Sequence, residues 1–415
     1  MKNRSEVRLG NGLAAIITPA EHLHKVNFAV GVRYGSVYED LRINGSAHFL
    51  EHVLFEGTRK RTGQQQEEEA RRNALERNAF TAEEATVYFI AGPRSTAEKS
   101  AEMLSDMLIN STLEPAAVES QRGPITNELT MRHDNKFVYL YDMLKPVLFE
   151  GQPAGRLVAG TPEIISRITR DELFDIYQNN YAPASMALSI YGGISGDKAR
   201  AIAETYFGGF KKPYTKKEIP DSEGPSKEKE VAFERSGIAQ ANRLIAFGFP
   251  GTRRMLSENE RDLVSLILID QLFKNELEKD LKKKEGLAGV IKISTDIQGT
   301  SGSFGVGIAA SQEKMEKISR FIYNELEKVR CAGVPKDAIE RAKSAYWHDM
   351  QTDLDNAVGM GIAAAFDQAT HSRQLSDLKE GVLSYTADDI ARAAQKYLDR
   401  KRSAALTLWP KGGGT

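Results

Sequence analysis

Two segments, one near the end of each half of this chain, follow a single pattern that limits the folds open to it. The first is TRDELFDIYQNNYAPASMALSIYGG from Thr169, and the second is TADDIARAAQKYLDRKRSAALTLWPKGG from Thr386. Each has a threonine before an acidic helical turn, a helix that ends near a tyrosine, a polar loop, and a strand closed by glycine. The repeat predicts two related units that each combine a sheet with helices.

The middle of the chain separates these two halves. Residues 211–230, KKPYTKKEIPDSEGPSKEKE, are rich in Lys, Glu, Pro and Ser, which is typical of a solvated linker. A chain of 415 residues is also longer than one hydrophobic core usually supports. We therefore expect an α+β protein with two homologous domains, 1–210 and 231–415, joined by this linker. Each domain would be a mixed, mostly antiparallel β-sheet covered by α-helices.

Composition excludes several classes of protein. The formal net charge of −1 gives no electrostatic reason to bind nucleic acid. Cys331 is the only cysteine, so an internal disulfide or a thiolate metal site cannot form. No apolar run approaches the ~20 residues that span a bilayer. The opening MKNRSEVRLGNGLAAIITPAEH is typical of a β-hairpin rather than a signal peptide, so we expect a cytoplasmic protein.

The segment 44–58, NGSAHFLEHVLFEGT, predicts a short helix. Asn44 or Ser46 would cap its start, and Gly57 would end it. The segment holds two of the seven histidines of the chain in otherwise apolar surroundings. Such surroundings are unusual for a solvated helix face.

Three polar side chains of this segment form a pattern with metal-binding chemistry. On a helix, His48 and His52 lie on one face, with Glu51 beside them. Two imidazoles at this spacing can bind one Zn²⁺ at ~2.0–2.1 Å, and a nearby carboxylate can take a proton from water. The order is the inverted H-x-x-E-H arrangement. The alternative is a solvated face with two chance histidines. A catalytic zinc usually has a third protein ligand, and the pattern does not choose it among the many acidic residues.

The same segment resembles a known family. GSAHFLEHVLFEGT is similar to the zinc-site helix of the M16 metallopeptidases, which include pitrilysin, insulin-degrading enzyme and the mitochondrial processing peptidases. ERNAFTAEEATVYFIAG resembles the family's substrate-edge strand. The stretch from GRLVAGTPEII to ALSIYGG resembles the end of its first domain, and EGLAG resembles part of the second. The similarity covers most of the chain and fits the short, two-domain M16B-type members.

The resemblance implies a zinc-dependent endopeptidase with one Zn²⁺ per chain. His48 and His52 would be zinc ligands, and Glu51 would be the general base. The family's third ligand is a glutamate 76 residues after the second histidine, where this chain has Glu128. The family usually has another glutamate seven residues earlier, where this chain has Gln121. Glutamine keeps the shape of that residue and loses its charge, so Gln121 is a candidate to support the ligands.

A substrate-binding edge also follows from the resemblance. The family pairs its peptide substrate as an added strand along the segment that corresponds to Asn78, Ala79, Phe80 and Thr81. Backbone pairing gives affinity with weak demands on substrate sequence. The alternative interpretation is an ordinary edge strand with no ligand.

The sequence departs from the family pattern at two further places. Pro124 lies between positions 121 and 128, so the helix there either kinks or begins at Pro124. Active members also commonly carry an Arg, with a Tyr seven residues later, that contact the substrate carbonyl. The matching stretch LKKKEGLAG places Lys282 and Gly289 at those positions. Lysine lacks the planar fork of arginine, and glycine has no side-chain donor.

These departures lead to three hypotheses. The leading one is the zinc-bearing subunit of a heterodimer, with a related M16 subunit that supplies the Arg and Tyr, as in some short members. The second is a self-sufficient homodimeric peptidase. The third is a non-catalytic scaffold or assembly subunit, which the loss of the Arg/Tyr pair favours. An intact Glu51 argues against the third, because a scaffold has no use for a general base.

Overall fold

The computed structural model of the chain describes residues 4–285, 290–354, 356–370, 382 and 384–411. The strands are β1 (Ser5–Arg8), β2 (Ala14–Pro19), β3 (Lys25–Val32), β4 (Glu76–Thr81), β5 (Thr86–Pro93), β6 (Met186–Gly192), β7 (Lys229–Arg235), β8 (Ala241–Pro250), β9 (Val290–Ile297), β10 (Ser301–Ala310) and β11 (Ser403–Pro410).

The α-helices of the described residues are α1 (Ser46–Leu54), α2 (Gly63–Arg72), α3 (Ala97–Asn110), α4 (Pro115–Asp134), α5 (Lys136–Leu148), α6 (Pro162–Ile165), α7 (Arg170–Asn180), α8 (Gly196–Phe207), α9 (Thr252–Glu258), α10 (Glu260–Glu285), α11 (Gln312–Cys331), α12 (Lys336–Leu354), α13 (Ala357–Thr370) and α14 (Ala387–Tyr397). None of these is both long enough and apolar enough to cross a membrane.

The chain divides into two compact units, and neither is continuous in sequence. Unit 1 comprises Met1–Thr130, Arg156–Ile219 and Thr352–Arg373. Unit 2 comprises Met131–Gly155, Pro220–Gln351 and Gln374–Thr415. Each unit has its own sheet and its own main hydrophobic core.

Unit 1 contains a six-stranded sheet in the order β1-β2-β6-β3-β5-β4. Strands β2 and β6 are parallel, and the other neighbours are antiparallel. Strands β1 and β2 form the predicted hairpin at the start of the sequence. Because side chains alternate along a strand, Phe28 and Val30 enter the main core while Ala29 faces a separate apolar cluster. The sheet is therefore buried on both faces.

Unit 2 contains a five-stranded sheet in the order β7-β11-β8-β10-β9. Strands β7 and β11 are parallel, and the remaining neighbours are antiparallel. This is the order and direction of β2-β6-β3-β5-β4 in unit 1. The prediction of two related α+β domains with mixed, mostly antiparallel sheets is confirmed.

One helix on each sheet comes from the other half of the sequence. Helix α13 packs on β3 and β6 of unit 1, where Ala365 lies in a cluster with Ala29 and Phe89. Helix α5 packs on β8 and β11 of unit 2, where Leu144 is buried with Leu406. The expected domains, 1–210 and 231–415, keep each half of the sequence together, so they differ from the compact units in the segments that carry α5 and α13. The division of the chain into two homologous domains at these boundaries stays a prediction.

Two lysine side chains hold the first part of the linker to the rest of unit 1. Residues 211–225 have no regular secondary structure. Lys212 Nζ donates to the Tyr177 carbonyl at 3.0 Å, and Lys217 Nζ donates to the Tyr38 carbonyl at 2.6 Å, both within unit 1. The composition of the linker is typical of a solvated segment. The sequence did not indicate that its lysine side chains bind backbone carbonyls elsewhere in the chain.

Candidate metal centre

The start of helix α1 is fixed by a buried carboxylate. Glu39 is 1% exposed, and its oxygens accept hydrogen bonds from the backbone N–H groups of Gly45 (2.7 Å) and Ala47 (2.6 Å). They also accept from Ser46 Oγ (3.1 Å) and Asn44 Nδ2 (2.7 Å). A negative charge suits a helix N-terminus, where N–H groups lack partners within the helix.

The ends of α1 differ from those expected. The N-cap is Gly45, with φ +97°, a backbone conformation that glycine adopts without strain. Asn44 and Ser46 instead bind the Glu39 carboxylate, so neither is the N-cap. The helix ends at Leu54, before Gly57. Glu39 was missed in the sequence because nothing around it distinguishes a buried acid from a surface one.

One face of α1 carries the predicted polar residues. Phe49 and Leu50 are fully buried in the core of unit 1 and fix the rotation of the helix. His48 is 7% exposed and Glu51 is 8% exposed, whereas His52 is half-buried. The imidazole centroids of His48 and His52 are 4.8 Å apart, as expected for residues one turn apart. The histidines are therefore not on a solvated face.

Helix α4 brings Glu128 to the two histidines. Glu128 Oε1 lies 3.6 Å from His48 Nε2, and Glu128 Oε2 lies 3.2 Å from His52 Nε2. Hydrogen bonds from the two imidazoles lower the pKa of Glu128. Among the described residues, these three form the one group of at least three His, Cys, Asp or Glu residues whose donor atoms could share a metal ion, all within 4.8 Å.

The spacing of these donors fits a metal ion. Ligands at ~2.0–2.1 Å from a tetrahedral zinc lie about 3.3 Å from one another. The separations of Glu128 from His48 and His52 lie close to that value. Two imidazole nitrogens and one carboxylate oxygen are also a donor set that catalytic zinc sites use, with a fourth position left open.

Glu51 points toward the strand expected to bind substrate. Thr81 Oγ1, at the end of β4, donates to Glu51 Oε2 at 2.6 Å. Burial raises the pKa of Glu51, and the nearby imidazole of His48 opposes that rise. The hydroxyl of Thr81 thus fixes one carboxylate oxygen of Glu51, a role that the sequence pattern did not assign to it.

Strand β4 is the outermost strand of its sheet. Within unit 1 it pairs with β5 alone, so its other edge carries no strand of this sheet. Asn78 and Phe80 are exposed, whereas Ala79 and Thr81 are half-buried. The Ala79 N–H donates to the side chain of Asn78 at 2.8 Å. Phe80 stacks on Phe366 of α13, with centroids 6.3 Å apart.

The structure decides one departure from the family pattern. Helix α4 runs from Pro115 to Asp134 with Pro124 inside it, so the hypothesis that it begins at Pro124 is wrong. Gln121 and Glu128 are therefore two turns apart on one helix and face the same way. Lys282 lies in α10, but its side chain is outside the described residues, and Gly289 is outside them altogether.

Two protein-family models match this chain. A family model described as Insulinase (Peptidase family M16) matches residues 15–162, and one described as Peptidase M16 inactive domain matches residues 167–346. Together they take in most of the chain. The chain belongs to peptidase family M16. The described residues of unit 2 contribute nothing to the metal-donor group of His48, His52 and Glu128.

Relatives within the M16 family span most of this chain. An uncharacterized zinc protease of Streptomyces coelicolor is 24% identical over 406 residues, covering 96% of this chain and 88% of that protein. Mitochondrial-processing peptidase subunit beta of Neurospora crassa is 27% identical over 411 residues, covering 94% and 84%. The fold matches the crystal structure of a protease from Helicobacter pylori at TM-score 0.89, with 20% identity over 98% and 99% of the two chains. The family and the names of these relatives support a peptidase that uses a divalent metal.

Proposed function

We propose that this protein is a zinc-dependent endopeptidase in which His48, His52 and Glu128 hold one Zn²⁺ and Glu51 is the general base. The observation that carries the proposal is the donor spacing. Two imidazole nitrogens each lie within 3.2–3.6 Å of a Glu128 oxygen, beside the buried carboxylate of Glu51. The relatives named zinc proteases support the same metal.

The residues of the site have distinct parts in peptide hydrolysis. A bound zinc ion would lower the pKa of water toward ~7 and polarise the scissile carbonyl. Thr81 holds Glu51 Oε2, so we assign Oε1 to accept the proton of the attacking water. The same oxygen would deliver that proton to the leaving amine. The low exposure of Glu51 keeps bulk water from competing for the proton.

We also propose that the peptide substrate pairs with the outer edge of β4, along Asn78, Ala79, Phe80 and Thr81. The Ala79 N–H donates to the side chain of Asn78, and a peptide carbonyl can replace that side chain at little cost. Pairing at this edge brings the scissile bond near Glu51, because Thr81 of the same strand is bonded to it.

The partner remains a proposal from the sequence and the relatives. Lys282 and Gly289 stand where active members carry the Arg/Tyr pair, so we propose a heterodimer with a related M16 subunit that supplies it. Several relatives are named as subunits of a mitochondrial-processing peptidase. Native mass measurement of the protein purified from its source distinguishes this assembly from the homodimer. The expected cytoplasmic location is likewise a proposal, which cell fractionation tests.

Two substitutions test the catalytic proposal. Glu51→Gln keeps the shape of the general base and should abolish peptide cleavage while one zinc per chain is retained. His48→Ala should remove both zinc and cleavage. Metal analysis and cleavage of an unstructured peptide, each with and without the co-purifying subunit, give the result. Full cleavage by Glu51→Gln would overturn the assignment, and zinc binding with no cleavage in any assembly would favour the scaffold hypothesis.

A further inference from the structure

His52 is held at both ring nitrogens by one helix. Its Nε2 lies 3.2 Å from Glu128 Oε2, and its Nδ1 lies 3.4 Å from Gln121 Oε1. Both partners are on α4, two turns apart. His48 differs, because its buried Nδ1 has no hydrogen-bond partner among the described residues. In the described part of the chain, support for a metal-binding imidazole from its far nitrogen therefore comes through Gln121.

The direction of the Gln121 amide is set by Glu56. Gln121 Nε2 donates to Glu56 Oε1 at 2.7 Å. An ionised carboxylate only accepts hydrogen bonds, so it selects the amide orientation in which nitrogen faces Glu56 and oxygen faces His52. An amide turned the other way would place its oxygen against the carboxylate and its N–H₂ against the imidazole Nδ1–H. The backbone of Glu56, two residues after the end of α1, is itself fixed, because its carbonyl accepts from the Gly63 N–H at 2.7 Å.

We infer that Glu56 and Gln121 are a matched pair of positioning residues for His52. The Glu56 carboxylate orients the Gln121 amide, and the amide oxygen holds the proton of His52 on Nδ1, so that the Nε2 lone pair faces Glu128 and the metal position. Ligating histidines commonly donate this second N–H to a carboxylate. Here the Gln121 amide lies between His52 and the Glu56 carboxylate, so the negative charge is one residue further from the imidazole. The inference rests on the proposed function, since the role of His52 as a ligand is part of it.

The pairing also explains why glutamine suits position 121. A carboxylate there would lie within hydrogen-bonding distance of the Glu56 carboxylate, and two like charges so close repel. Glutamine avoids this repulsion and still presents an acceptor to His52. The two positions therefore need one carboxylate and one amide between them, in either order.

Exchange of the two groups tests the pair. The full-length protein and its variants are titrated with zinc against a chromophoric chelator, and the dissociation constant is compared with that of the original sequence. Glu56→Gln should weaken zinc binding about tenfold, because the amide of Gln121 loses its fixed direction. Gln121→Glu should weaken it by a similar factor through repulsion. The double variant Glu56→Gln/Gln121→Glu should bind zinc with a dissociation constant within about threefold of that of the original sequence. In this variant the carboxylate at position 121 accepts from His52, and the amide at position 56 donates to that carboxylate.

Controls separate this inference from the function on which it rests. Glu119→Gln removes a charge on α4 that pairs with Arg122, and it should leave zinc affinity unchanged. The thermal midpoint of each metal-free variant shows whether it is folded. If Gln121→Glu does not fold, the comparison of Glu56→Gln with the double variant is enough to test the pair. The pair is refuted and the zinc site stands if His48→Ala abolishes zinc binding while Glu56→Gln has no effect. The same conclusion follows if the losses of zinc affinity from Glu56→Gln and Gln121→Glu simply multiply in the double variant. If His48→Ala has no effect on zinc binding, both are refuted.

Discussion

At the scale of single residues, buried charges outside the metal-donor group set local stability. Glu39 is buried with four hydrogen-bond donors around it, three of them at the start of α1. Lys145 of α5 is 5% exposed beside Asp296 and the ring of Tyr141. Burial raises the pKa of Glu39, and the hydrogen bonds from its four donors oppose that rise. Burial also lowers the pKa of Lys145, to about 8.

Glu39→Ala should strongly destabilise unit 1. The change leaves buried N–H groups at Gly45 and Ala47 without an acceptor, and each unsatisfied group costs about 1–3 kcal/mol. We expect a loss of about 3 kcal/mol or more in the free energy of unfolding, measured by urea denaturation. Asp40→Ala is the matched control, because Asp40 is exposed and caps only a short turn. Equal losses from both variants would contradict a special role for Glu39.

Lys145→Met should stabilise unit 2 in a pH-dependent way. The pKa of Lys145 falls from 10.5 unfolded to about 8 folded, so the unfolded chain binds the proton more tightly. Below pH 8 the buried charge costs up to about 3 kcal/mol, and this cost disappears as pH rises to about 10.5. The variant should therefore be more stable than the original at pH 7, with the difference shrinking between pH 8 and 10.5. A difference that does not change with pH in denaturation curves would refute this.

At the scale of elements, the candidate site depends on two helices and one edge strand. Helix α1 supplies both histidines and Glu51, α4 supplies Glu128, and β4 supplies Thr81. Arg122 binds α4 to the rest of unit 1, since its guanidinium donates to the carbonyls of Ile165 and Ile168 and lies over the ring of Phe49. That contact links α4 directly to α1 and holds Glu128 in place despite Pro124 within the helix.

Ala79→Pro tests the outer edge of β4. Proline removes the N–H that we propose for the substrate carbonyl, and edge strands tolerate it. A lost hydrogen bond of about 1–1.5 kcal/mol predicts a fall in kcat/KM of roughly tenfold, with zinc content unchanged. Glu76→Pro, at the first residue of the same strand, is the control and should have a smaller effect. An unchanged kcat/KM for Ala79→Pro would place the substrate elsewhere.

At the scale of the whole molecule, the two halves of the sequence exchange helices. Helix α5 buries Leu140, Leu144 and Leu148 with strands of unit 2, and α13 buries Ala365 and Ala369 with strands of unit 1. Burial of one leucine side chain is worth about 1.5–3 kcal/mol. Neither half therefore covers both faces of its own sheet, although the repeat in the sequence makes each half look complete.

Separation of the halves tests this exchange. Residues 1–210 expressed alone should aggregate or bind an apolar dye, because the apolar side of α5 lacks its strands and the sheet of unit 1 lacks α13. Co-expression of 1–214 with 215–415 should give a soluble complex, since the break falls in a segment without regular structure. Size-exclusion chromatography measures both outcomes. A soluble, folded 1–210 fragment would contradict the argument.

Local sequence patterns were enough to predict the two related sheets and the polar face of α1. Helical spacing put His48, Glu51 and His52 on one face. The repeat of helix and strand predicted the two related sheets. Both predictions were possible because each pattern is formed by residues that are close together in the sequence. The resemblance to M16 peptidases pointed to Glu128. The roles of these residues as ligands and base stay a prediction, with a geometry that fits them.

The residues that support this polar face were not predictable, because they come into contact with it only in the folded chain. Three contacts illustrate this: Glu39 binds the start of α1, Thr81 binds Glu51, and Glu56 binds Gln121. Each joins residues of different segments of the chain. The exchange of α5 and α13 is of the same kind. An apolar helix face states that it must be buried, but not which sheet will bury it, because the hydrophobic effect has no direction and depends only on the area removed from water.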